Sequence, residues 1–132
     1  MIQEQYGMTI TTSMGVEDAE AAIRSALAEE GFGILAEIDL AATFKAKIDV
    51  DRPAYKILGA CNPTLANQAV NIDERAGLLL PCNVIIADSS EGTVVSIVDP
   101  DVMLNVAGTE SSLATIATEA RERLTRALSA VS

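Results

Sequence analysis

Histidine and tryptophan are absent from this 132-residue sequence, and bases are few: nine lysines and arginines stand against nineteen acids. Without an imidazole the chain can build neither a Ser-His nor a Cys-His nucleophile pair, nor offer an imidazole to a metal. Hydrolase triads are thereby excluded. Aromatic residues are limited to Tyr6, Phe32, Phe44 and Tyr55. The core must therefore be built from Ala, Val, Ile and Leu, and base-stacking platforms are not expected. The net charge of −10 divides into about −5 for each half of the chain. No basic lobe exists to displace counterions from a phosphate backbone or to hold an anionic bilayer, so neither nucleic acid nor membrane is an expected partner. The first ten residues carry Glu4 in place of a basic cluster and contain no long apolar run. A signal peptide and a transmembrane helix are not expected, and the cytoplasm is the expected compartment.

What is present is a globular balance, 49% apolar and 21% charged residues, at a length that suits one domain over residues 1–132. Two cysteines in a reducing compartment do not make a disulfide framework.

Periodicity orders the elements. Tyr6–Thr12 is short and β-branched, which predicts a strand. Val16, Ala19, Ala22, Ile23, Ala26 and Leu27 then recur at helical spacing, with Glu17, Asp18 and Glu20 in the first turn, where the helix dipole favours acids, and Gly31 as the stop. Phe32–Asp39 reads as a strand. Leu40–Ile48 is ambiguous, and a helical turn is the preferred reading. Ala54–Ala60 is the next strand, and Asn62 followed by Pro63 predicts a capped helix over Pro63–Ile72. Asp73–Gly77 breaks the chain. Leu78–Asp88 is apolar enough for a central strand, but Pro81 within it demands a bulge or a late start. Thr93–Val98 pairs back as a hairpin and Asp99-Pro100-Asp101 ends it. From about Ser111 to Val131, Leu113, Ile116, Ala117, Ala120, Leu124, Ala127, Leu128 and Val131 form one helical stripe, with Glu122 and Arg126 at a favourable spacing. The order predicts a two-layer α+β domain: strand, helix, four strands with a short extra helix among them, and a closing helix, around an antiparallel-rich sheet.

Few residues invite chemistry. Gly31-Phe32-Gly33 lies after a helix and before a strand, the reverse of a dinucleotide fingerprint, so it is read as a helix stop. The pairs Asp49/Asp51 and Asp99/Asp101 have oxygens suited to hard cations, but both lie in turns, where Asp bonds its own backbone, and the turn reading is preferred. Cys61 falls at a strand-to-helix junction, where unpaired amides are expected to lower a thiol pKa. Cys82 lies between Pro81 and Asn83. If the two strands are antiparallel neighbours, the cysteines approach one another. The readings are two small buried hydrophobes, a redox-active thiol pair, or a soft-metal or covalent cofactor site. The first is preferred, and no cofactor or metal is assigned.

Ile57-Leu58-Gly59-Ala60-Cys61-Asn62-Pro63, then Leu78-Leu79-Leu80-Pro81-Cys82-Asn83-Val84, then Asp99-Pro100 with Met103, resemble the bacterial family known as domain of unknown function 302. The resemblance runs from about Met8 to Val131. It implies a TATA-binding-protein-like fold and a homodimer, but carries neither an activity nor DNA binding with it. It suggests a pocket around Cys61, Asn62, Pro63, Cys82 and Asn83. The leading expectation is a homodimeric binding or assembly module with a small-molecule ligand near these motifs. The alternatives are a thiol or persulfide enzyme using Cys61 and Cys82, and a pure protein-interaction module.

Overall fold

The computed structural model describes residues 1–106 and 111–131. A short edge strand β1 (Ile2–Gln3) precedes β2 (Gly7–Thr12), α1 (Val16–Glu29), β3 (Gly33–Asp39), α2 (Leu40–Ile48), β4 (Tyr55–Cys61) and α3 (Pro63–Ile72). A 3-10 helix, Glu74–Leu79, leads to β5 (Cys82–Ser89), β6 (Gly92–Val98), α4 (Pro100–Val106) and α5 (Ser111–Val131). The six strands form one antiparallel sheet in the order β1-β2-β6-β5-β4-β3. This is the α+β architecture that the periodicity predicts, with β1 and α4 added.

The core lies between one face of the sheet and the pair α1 and α5. Alternation along the strands sends Met8 and Ile10, Leu58 and Ala60, Val84 and Ile86, and Val95 and Ile97 to this face, all buried. Ile23 and Leu27 of α1 and Leu124 and Leu128 of α5 complete it, each fully buried, and each such side chain contributes roughly 1.5–3 kcal/mol of hydrophobic stabilisation. α1 has Gly15 at its N-cap with no side-chain cap. It ends where Phe32 N–H returns to Leu27 O at 2.9 Å and Gly31 N–H to Ala28 O at 3.1 Å. That pair of bonds is a Schellman closure, and Gly31 supplies its positive φ of 83°. Gly31-Phe32-Gly33 is accordingly a helix stop.

Three segments refine the sequence reading. Leu40–Ile48 is a nine-residue helix, capped by Asp39, whose carboxylate accepts from Ala42 N–H at 2.9 Å. The predicted strand over Leu78–Asp88 begins only at Cys82, because Glu74–Leu79 coils into the 3-10 helix and Pro81 has no donor for a ladder. The proline thus marks a late start. Asp99-Pro100 ends β6 and also opens α4: Asp99 O accepts from Val102 and Met103 N–H, and its carboxylate from Asp101 N–H at 3.0 Å. Asp49 and Asp51 flank the C-terminus of α2, where Asp49 takes a left-handed φ of 56° and both carboxylates face Lys45. Both acid pairs are turn and cap residues. Arg126 bonds the Glu30 carboxylate at 2.9 Å, tying α5 to the end of α1, and the Glu122 charge adds to its favourable surroundings. No helix among the described residues is long and apolar enough to cross a membrane.

Candidate functional site

β4 delivers Cys61 to the end of a central strand, and the next two residues start α3. Asn62 is the N-cap: its Oδ1 accepts from Leu65 N–H at 3.1 Å, and its Nδ2 donates to Glu30 O at 3.4 Å. Arg123 donates to the same carbonyl at 3.1 Å. Asn62 is buried, and both ends of its amide are engaged by backbone. Its polarity holds the start of α3 against the end of α1. Pro63 occupies the first turn of α3 and is exposed, a position that uses its fixed φ and its missing N–H.

The second motif begins β5. β4 and β5 are antiparallel neighbours, with Ala60 opposite Cys82 and Gly59 opposite Asn83. Side chains alternate across a strand, so Cys82 shares the helix-covered face with Ala60 while Cys61 and Asn83 fall on the opposite set. Cys82 is buried, Cys61 half-buried, and both are free thiols. Asn83 is exposed and borders a separate, larger hollow of about 550 Å³, formed with Tyr6, Thr9, Ile85 and Ser96 on the face of the sheet away from α1 and α5. Cys61 ends its strand, however, and borders the same cavity as Asn62 and Cys82, whereas Pro63 and Asn83 lie outside it.

That cavity has a volume of about 60 Å³ and is partly open to solvent. It is lined by Ala60 and Cys82 of the sheet, Leu65 and Ala69 of α3, Ala117 and Ala120 of α5, and Met103 of α4. Cys61 and Asn62 stand at its edge. None of the described lining residues is charged. The alanines on the two helices and Met103 were not identified as site residues from sequence, because an inward alanine reads as core until its neighbours are known.

Both thiols are held in the neutral form. Burial pushes the Cys61 thiol up, and burial together with the neighbouring Cys61 pushes Cys82 up to about 11. The expectation that the helix N-terminus lowers the Cys61 pKa is corrected here. Desolvation of a thiolate dominates at this apolar strand end, and the Asn62 side chain already occupies the Leu65 amide. A thiolate is the nucleophilic form, so at neutral pH the arrangement is poorly suited to nucleophilic or disulfide-exchange chemistry. Among the described residues no three acids or cysteines cluster as metal ligands.

The profile of the domain of unknown function DUF302 matches residues 8–131. The chain belongs to the DUF302 family. A crystal structure of an uncharacterized conserved DUF302 protein from Bacillus stearothermophilus superposes with a TM-score of 0.91. The two sequences are 22% identical, and the match covers 98% of this chain and 100% of that one. At this identity the likeness establishes the shared DUF302 fold. No curated protein matches the chain.

Proposed function

We propose that this DUF302 chain is a binding module, not a catalyst, which admits part of a small molecule to the cavity between the sheet, α3 and α5. The observation that carries this reading is the cavity itself, about 60 Å³ and partly open to solvent, whose described lining is apolar except for Cys61, Asn62 and Cys82. Concave, mostly apolar hollows with a few polar groups are where small molecules bind. Native mass spectrometry of protein purified without denaturation tests it. A non-covalent mass lost on unfolding is the expected result, and bare protein in several independent preparations would count against a ligand.

One observation favours a second reading, a homodimeric interaction module. On the sheet face away from α1 and α5, Ile57 lies opposite Ile85 and Ile38, and Ala87 opposite Val94. Ile38 is 47% exposed, and the others are half-buried with no described helix layer over them. These strand positions carry no charge in a chain of net charge −10, and an uncharged apolar sheet face suits a self-complementary contact. Sedimentation equilibrium of the wild type and of Ile85→Lys separates the cases: a dimer reduced to monomer by the substitution supports this reading, and a wild-type monomer at high concentration removes it.

A further inference from the structure

The cavity restricts the chemistry of what can enter it. Among the described residues its lining contains no charged side chain. The one amide at its edge, Asn62, has its oxygen on Leu65 N–H and its nitrogen on Glu30 O. The remaining polar groups are two thiols, of which the buried Cys82 offers a weak S–H donor. An ion entering this space would lose hydration and touch no charged lining residue among those described, a loss that contacts to a few carbons cannot offset. Size sets a second limit. One water needs about 10–15 Å³ of such volume, so a cavity of about 60 Å³ accepts on the order of four heavy atoms.

Resting on the binding reading above, we propose that the ligand class is an uncharged molecule, or the uncharged end of one, that inserts a short aliphatic group of about four heavy atoms. Leu65, Leu79, Met103 and Ile116 line the space and supply methyl groups as reporters. Ala69 of α3 and Ala117 of α5 also line it, and a larger residue at either would occupy the volume.

Methyl NMR with three probes sharing one butyl-length chain tests the proposal on the full chain: 1-butanol, butyrate and butylammonium. The expected result is saturable shifts of the four lining residues with 1-butanol, and binding of both ions weaker by about tenfold or more. Ala69→Leu and Ala117→Leu should each abolish the 1-butanol response, and having both guards against one failing to fold. Equal binding of butyrate or butylammonium overturns the uncharged class and leaves the binding reading standing. No response at these methyls to any of the three overturns both. A response to 1-butanol that persists in both leucine variants places the probe outside the cavity and likewise overturns the proposal.

Discussion

Replacing Asn62 by alanine removes two hydrogen bonds with one side chain, and their geometries predict unequal consequences. The cap to Leu65 N–H is 3.1 Å long in a buried setting. Loss of an asparagine N-cap costs about 1 kcal/mol, and leaving the amide without a partner raises this towards 1.5–2 kcal/mol. The bond to Glu30 O is 3.4 Å long, and Arg123 still serves that carbonyl at 3.1 Å. It therefore contributes little. The expected loss is about 1.5 kcal/mol, or a melting temperature lower by roughly 5 °C for a chain of this size. Asn62→Ser keeps a capping oxygen but falls short of Glu30, so it should recover most of the loss. Urea denaturation of the three proteins, compared at equal slope, measures this. An alanine variant within about 0.5 kcal/mol of the wild type, or a serine variant no better than alanine, would refute the assignment of Asn62 to the scaffold.

Four further outcomes follow from the same structure. A methyl on Gly59 would stand 2.6 Å from Pro81 Cγ and 3.3 Å from Ala36 Cβ, so Gly59→Ala should lower stability by about 1–3 kcal/mol in chemical denaturation. At Gly92 the φ of 126° and an added Cβ at 2.4 Å from Thr12 O leave no room for a side chain. Gly92→Ala should lower stability by at least about 2 kcal/mol on the same assay. The buried Cys82 should resist iodoacetamide in the native state while the half-buried Cys61 reacts slowly at pH 8 and faster as pH rises, as read by peptide mass spectrometry. The Cys82 pKa also links to stability. Between its ordinary value of 9.0 and about 11 the unfolded thiol ionises while the folded one keeps its proton. Stability should therefore fall as pH rises through this window, by up to about 3 kcal/mol, and Cys82→Ala should remove that slope.

Much of the scaffold was legible along the chain because it rests on local rules. The stripe from Leu113 to Val131 is the buried face of α5, and Gly31 ends α1. Asn62-Pro63 opens α3 through a cap written in two adjacent residues. The same grammar stood at Asp99-Pro100-Asp101, where it was read only as the end of a strand, although Asp99 also caps α4. Pro81 predicts a bulge or a late start, and β5 does start late, at Cys82; hydrophobicity alone does not separate an exposed Leu78, 85% accessible, from a buried strand residue.

The sequence by itself determined the excluded chemistry, since no fold can create an imidazole or a basic lobe that the chain does not contain. It also determined the order of the main elements and the two motifs that deserved inspection. Only the tertiary structure decided what those motifs do. Register places Cys82 opposite Ala60 and Asn83 opposite Gly59, dividing the second motif between two faces of the sheet, and register is a property of strand pairing that neither strand carries alone. Long-range packing likewise engages Asn62 with Glu30, 32 residues away, and opens a cavity between alanines of α3 and α5. The space exists because those helices come together around it.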